Sequence, residues 1–539
     1  MSRLNRDAAT TGTSTTTAGR RRMARRSFGR SLRQALKIFK KDFGNGPIQS
    51  ARFCIFGAML FLFALLIVAS IFATKISDKI GVPVLVVFLA VGILVGNDGL
   101  NLVQFNDAKI TKQIADILLI FILFDGGFRT TRSDLQLVAK PGILLATFGV
   151  AATAAVLGVS IHFIMHYDWL QSMMIGSIIS STDAAAVFMI TRQNPIRKKL
   201  AATLNVESAA NDPMAILLTL AFVGSLAGNN STPVGFLAEL AWQFSGGIIV
   251  GFLISRVAKF LFDHLKSENR GYYYVLIIGT ILLGYGTADV IRANGIIAVF
   301  FMGYWLGNSD FVAKRGVSNF LEGISTFCNM ALFLMLGLLA FPRSFVHVWK
   351  EGLLIAALMI FVARPIAVWL STLPFKYSAK ERGFLCWGGI KGAVPIVLAT
   401  YPAAYGLDPS ESVFNIIFFA VIVSCLLQGS SLGVLARKLK LSIPKPPESP
   451  FSMELHSVKR SDMDLVEFQV FDNSFCAHKT IQELKLGADI VITSITRNAR
   501  LLPPRGAVKL EPDDILYILV PLSKQHDLLQ FLEQGSAPV

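Results

Sequence analysis

Apolar runs close to 20 residues long recur along this chain from Phe53 to Arg437. A run of that length crosses a hydrocarbon layer as a helix. Backbone polar groups must be satisfied internally in lipid, so only helices or a closed barrel can span it, and runs this long select helices. About thirteen segments are read, near 52–73, 83–96, 111–127, 143–165, 170–190, 205–227, 236–262, 272–291, 294–307, 320–341, 351–371, 383–404 and 412–436. Charged residues make up 16% of the chain, well below the ~25% of soluble domains. The expected fold class is a polytopic α-helical membrane protein with a polar stretch at each end.

The net charge of +16 does not point to nucleic acid, because Lys and Arg lie mostly in short loops between apolar segments. One set of alternate loops holds Lys75, Lys79, Arg129, Arg132, Lys140, Arg192, Arg197, Lys198, Lys199, Lys266, Arg270, Lys314, Arg315, Lys376, Lys380 and Arg382. The other holds only Lys109, Lys112, Arg292, Arg343 and Lys350. The positive-inside rule puts the richer set in the cytoplasm, and the C-terminal region with it. An odd number of segments then places the N-terminus outside, against the pull of its basic tail. The five cysteines are scattered and odd in number, with no metal-site spacing, and read as small apolar fillers.

Four regions are expected. Residues 1–49 form a basic tail with few acids, read as disordered or as a surface helix, with an organelle transit peptide as the competing composition. Residues 50–441 form the membrane domain. Residues 442–460 are a linker stiffened by Pro444, Pro446, Pro447 and Pro450. Residues 461–539 form a small α+β domain. Its strands are expected at Asp464–Phe471, Asp489–Thr496, Leu501–Leu502 and Ile515–Val520, with helices at Lys479–Leu486 and Leu522–Glu533.

Within the apolar frame, ionisable groups are costly and mark function by default. Glu207 and Asn211 stand at i, i+4 on one helical face, and Ser208 and Asp212 stand at i, i+4 one step round. Pro213 leaves the carbonyl of Ala209 without its helical donor. Segment 170–190 carries Ser180-Ser181-Thr182-Asp183 at its middle, where hydroxyls favour a break. Seven segments later, Gly388-Gly389-Ile390-Lys391-Gly392-Ala393-Val394-Pro395 interrupts 383–404. Two interrupted segments at corresponding positions of two halves point to a transport site built from inverted repeats. If the breaks cross, Asp183 compensates half-helix N-termini and Lys391 the C-termini. Arg364 is a further intramembrane charge, for which Glu207 is the natural partner.

Asp212, Asp183, Thr182 and Ser208 together with freed carbonyls supply oxygen ligands for a small hard cation, with the low charge that suits a monovalent one. Burial favours the protonated form of a carboxylate and a bound cation the ionised form, so one carboxylate can hold either. Asn211 is an amide beside Asp212 rather than a second acid. One titrating group per cycle gives one proton per cation and electroneutral exchange. The alternative class is a gated cation channel, which needs a continuous lined pore. No nucleophile–base pair, metal-ligand spacing or nucleotide loop suggests an enzyme, a metal or a cofactor.

The stretches Ser181–Phe188, Glu207-Ser208 with Asn211-Asp212-Pro213, Arg364-Pro365 and Gly388–Pro395 resemble the signatures of the cation/proton antiporter family, most closely its NhaP-type potassium/proton members. The likeness runs over roughly Phe53–Leu441. It implies an inverted-repeat antiporter with two crossed discontinuous helices, as a homodimer in a bacterial inner membrane, exchanging K+ or Na+ for H+. It makes Asp212 the exchanging carboxylate, with Asp183, Thr182, Ser208 and Asn211 beside it and Glu207–Arg364 as a structural pair. Lys391 departs from the arginine usual in the family at that place, keeping the charge but not the bidentate geometry. Lys479–Leu484 and Leu510–Leu516 resemble a TrkA-C (RCK-C) domain, which implies regulation by a small ligand or dimerisation.

Overall fold

The computed structural model describes most of the chain from Val84 to Gly535, apart from residues 97, 101–102, 104–106, 184–186, 188–194, 229–232, 409–411, 444–462 and 499. The readings for the tail 1–49, most of the first segment 52–73 and most of the linker 442–460 fall outside the described residues. All elements from Val84 onward belong to one compact unit, Ser70–Val539.

The membrane domain is a helical array. Its helices are α1 (Val84–Val95), α2 (Ala108–Arg129), α3 (Arg132–Met165), α4 (Trp169–Ile178), α5 (Lys198–Leu226), α6 (Pro233–His264), α7 (Arg270–Val290), α8 (Gly295–Gly307), α9 (Lys314–Leu339), α10 (Pro342–Thr372), α11 (Ala379–Trp387), α12 (Ala393–Ala404) and α13 (Ser412–Lys438). Seven of the described helices are long and apolar enough to cross a bilayer, and α1, α8 and α12 are shorter apolar helices. Local side chains set many of the starts. Asp107 accepts from the Ile110 N–H, Thr131 from that of Asp134, and Asn294 from those of Ile296 and Ile297. Ser378 and Glu381 form a reciprocal capping box that opens α11.

Two helices begin well before their apolar cores. Helix α5 starts at Lys198, not at 205, so Glu207 and Asp212 lie inside it rather than at its wetted start. Helix α3 starts at Arg132, so Lys140 is helical and not in a loop. Apolar periodicity marks only the part of a helix that meets lipid or core; polar end turns carry no such signal.

The domain repeats one order of elements twice: a long helix, an interrupted one, a long helix. In the first half these are α3, α4 with the break after it, and α5. In the second they are α10, α11 and α12 across their break, and α13. Both α3 and α10 contain a π-turn, at Leu145–Gly149 and Met359–Ala363. The first π-turn packs on α5 and the end of α10, and the second packs on α3. Such turns are uncommon and tend to fall near functional sites.

Glycines bring main chains close at two crossings. A Cβ at Gly127 of α2 would overlap the Phe300 backbone of α8, and one at Gly303 or Gly307 would overlap that of Phe124 or Phe128. Gly92 of α1 and Gly337 of α9 are matched in the same way. Small residues at helix contacts let van der Waals packing do what the hydrophobic effect cannot do between helices in lipid.

The C-terminal domain is a four-stranded antiparallel sheet in the order β1-β4-β2-β3, with β1 Met463–Gln469, β2 Val491–Arg497, β3 Arg500–Leu502 and β4 Ile515–Pro521. Helix α14 (Gln525–Gln534) covers it, and Val466, Phe468, Ile495, Leu516, Leu528 and Phe531 share its core. The helix expected at Lys479–Leu486 is only a 3-10 turn, Gln482–Leu484. The Thr480–Glu483 pair caps it, but Lys485 turns left-handed at once and Gly487 follows, so no second turn forms.

Candidate functional site: an ion-sized cavity at two crossed breaks

Helix α4 ends at Ile178, the chain is not helical through Ser181, Thr182 and Asp183, and Val187 is helical again. Helices α11 and α12 are separated by Gly388–Gly392. The two breaks meet. The Asp183 N–H donates to the Ile390 carbonyl at 2.8 Å. Lys391 is fully buried, and its Nζ donates to the carbonyls of Ser180 (3.1 Å) and Ser181 (2.8 Å), just past the C-terminal end of α4. The Asp183 carboxyl lies against Gly392, the residue before α12, where any Cβ would overlap it. A cation thus sits at a half-helix C-terminus and an anion at a half-helix N-terminus, the signs that the helix dipole favours.

Helix α5 runs alongside and continues through Pro213. Its Ser208 hydroxyl lies 2.9 Å from that of Thr182, and the Asn211 amide donates to the same Thr182 hydroxyl at 2.5 Å. Asp212 is 8% exposed, and one of its carboxylate oxygens, Oδ1, has no hydrogen-bond partner within bonding geometry among the described residues, with the Ser181 hydroxyl standing near the carboxylate; the Asn211 Oδ1 has none among them either. Asp183 and Lys391 both stand within electrostatic range of Asp212. Beside Asp212 is a cavity of about 50 Å³ whose polar lining comes from Thr182, Asp183, Ser208, Asp212 and Asn329. Its apolar wall comes from Leu119, Leu123, Val394 and Pro395.

Glu207 faces away from this cavity and pairs with Arg364. Both are buried, and the guanidinium forks onto the two carboxylate oxygens through Nη1 and Nη2. The same Nη2 donates to the Leu385 carbonyl at 3.2 Å, near the end of α11. Gln428 of α13 donates to the Trp387 carbonyl at 3.1 Å. The end of α11 is therefore held by two side chains, as the end of α4 is held by Lys391.

Asp212, Asp183, Thr182, Ser208 and Asn211 come together, Lys391 joins them from the other break, and Glu207–Arg364 forms a separate pair behind them. Asn329 and Gln428 were not singled out in the sequence. The signal for each was present, a lone amide within an apolar run: Cys328-Asn329-Met330 and Leu427-Gln428-Gly429.

Such an arrangement of oxygens at crossed breaks can hold a small cation or a proton. A family model for the transmembrane sodium/hydrogen exchanger matches residues 63–438. The chain belongs to the sodium/hydrogen exchanger family. A TrkA-C domain model matches residues 465–532 of this exchanger. The exchanger is 35% identical over 463 residues to the K(+)/H(+) antiporter NhaP2 of Shewanella sp. (strain ANA-3), covering 85% of this chain and 80% of that one. It is 34% identical over 481 residues to the K(+)/H(+) antiporter NhaP of Alkalimonas amylolytica, covering 89% and 84%. Among solved structures, the sodium proton antiporter MjNhaP1 of Methanocaldococcus jannaschii matches with a TM-score of 0.62 and 26% identity, over 71% of this chain and 99% of that one. The exchanger is a multi-pass membrane cation/proton antiporter with a C-terminal TrkA-C domain, and not an enzyme.

Proposed function

We propose that this antiporter exchanges K+ for H+, one for one and without net charge movement, by competition of the two ions for Asp212. The observation that carries the reading is the unpartnered Asp212 oxygen beside a 50 Å³ cavity, with an amide, Asn211, where a second acid would have doubled the titrating charge. Thr182, Ser208, Asn211 and Asp183 supply further oxygens. Lys391 and Asp183 compensate the half-helix ends, and Glu207–Arg364 is a static strut. The relatives at 34–35% identity that are named potassium/proton antiporters support K+ over Na+, although the same oxygens serve either ion. Exchange follows if the site opens to one face at a time.

On this reading the protein sits in a bacterial inner membrane as a homodimer with its TrkA-C domain in the cytoplasm, as the loop charges support, and serves potassium, pH or volume homeostasis. The C-terminal domain regulates transport, with a small ligand as its effector. Support comes from the chain leaving α13, where Ser442 bridges Ile196 just before α5.

The test is a proton gradient in proteoliposomes challenged with K+ or Na+ separately, with membrane potential clamped, for the native chain and Asp212→Asn. Dissipation by K+ that ignores voltage and is abolished in Asp212→Asn is the expected result. Activity with Na+ alone overturns the potassium assignment. Current without proton coupling overturns antiport at this site and favours a channel.

A further inference from the structure

Helix α2 carries an ordered stripe of residues. Lys112, Asp116, Leu119, Leu123 and Gly126 follow one another at i+4, i+3, i+4 and i+3, which places them on one face. The inner three line the cavity beside Asp212. The outer two make a latch. Lys112 Nζ lies 2.7 Å from one Asp116 oxygen, and the Tyr401 hydroxyl of α12 donates to the other at 2.6 Å. Lys112 also sits 4.4 Å above the centre of the Tyr401 ring. Tyr401 is buried, while Lys112 and Asp116 side chains keep about a fifth of their surface exposed.

The partner helix repeats the relation. Ala393, Val394 and Pro395 of α12 line the cavity, and Tyr401 stands two turns further along the same helix. The α2–α12 seam therefore runs from the Asp212 cavity to the latch. Seven residues separate Asp116 from Leu123, about 10 Å of helix. The direction of the seam is also fixed. Arg129, at the far end of α2, pairs with Glu322 near the start of α9, and Arg315 at that start pairs with Asp464 of the C-terminal domain. The latch thus lies at the end of α2 away from the C-terminal domain.

We infer that Lys112, Asp116 and Tyr401 form the gate that closes the ion path on the face opposite the C-terminal domain. The inference rests on the alternating-access reading above. Opening requires Tyr401 to leave both Asp116 and the Lys112 ammonium above its ring, while Lys112 and Asp116 belong to the same helix and move together. Leu119, fully buried one position inward of Asp116, is the plug behind the latch.

Cysteine accessibility tests this without measuring transport, so a failed gate and a failed exchange mechanism remain distinguishable. In full-length protein with Cys54, Cys328, Cys386, Cys425 and Cys476 replaced by serine or alanine, Leu119→Cys is labelled with a membrane-impermeant thiol reagent in proteoliposomes of known orientation. Adding Tyr401→Phe is expected to raise the labelling rate at least fivefold from the face opposite the C-terminal domain and to leave the other face unchanged. Asp116→Asn, which keeps side-chain shape, is expected to do the same and stands in if Tyr401→Phe does not fold. Unchanged labelling in variants that melt like the parent overturns the gate and leaves the triad a strut. An equal rise from both faces also overturns it, as a general loosening of packing.

Discussion

A guanidinium sealed inside a membrane domain needs partners for its donors, and Arg364 gives its two terminal nitrogens a carboxylate and a main-chain carbonyl at once, while its Nε has no partner among the described residues. Removing one side of such a pair leaves the other charge buried alone, at a cost of about 3–5 kcal/mol. Glu207→Ala is therefore expected to lower thermal stability in detergent by that order, and Arg364→Lys is expected to fail as a replacement, because an ammonium cannot fork onto Glu207 and still reach Leu385. Replacing both by Glu207→Leu with Arg364→Met is expected to recover much of the loss, as a melting series with both single variants would show. The pairing itself was legible in the sequence, since a buried charge demands a counter-charge and only a few acids were at hand. The carbonyl of Leu385 was not, because which main-chain groups a helix end leaves open depends on where the helix stops. Gln428 escaped notice for the same reason, its partner being another such carbonyl, on Trp387.

At the scale of the element, the breaks were written in glycine, proline and clustered hydroxyls, and their crossing follows from complementary charges placed at opposite half-helix ends. Gly392 has its own requirement there, since a side chain would take the space of the Asp183 carboxyl. Gly392→Ala is expected to reduce exchange at least tenfold in proteoliposomes while the protein still inserts and purifies. Gly303→Ala is expected to act differently, by pushing α8 off α2: lower stability first, with transport falling in proportion to folded protein. The π-turns in α3 and α10 were not legible, as no residue type encodes an extra residue in a turn. Nor was the early start of α5, whose first turns lack the apolar period. The 3-10 turn at Gln482–Leu484 shows the reverse error: a good capping pair and helix-forming residues, cut short by a left-handed residue one step later.

For the whole molecule, the connections on the side of the C-terminal domain converge on the start of α5. The Arg197 N–H donates to the Leu441 carbonyl and the Ile443 N–H to that of Pro195. Lys199 Nζ donates to the Lys376 carbonyl, and Thr203 meets the Tyr377 hydroxyl at 2.8 Å. The helix that carries Asp212 is thus tied both to the chain that leads to the C-terminal domain and to the approach to α11. Ile443→Pro deletes one donor of that tie. Its exchange rate is expected to match that of a chain ending at Ile443 rather than that of the native protein; a rate matching the native one would separate the domain's influence from this bridge. These connections bear on one carboxylate that holds either ion. The direct measurement is proton release when K+ is added to purified protein in weak buffer. About one proton per chain is expected from the native protein, since a cation that displaces a bound proton must release it, and none from Asp212→Asn. Undiminished release from Asp212→Asn, or K+ binding to the native protein with no release, would contradict it.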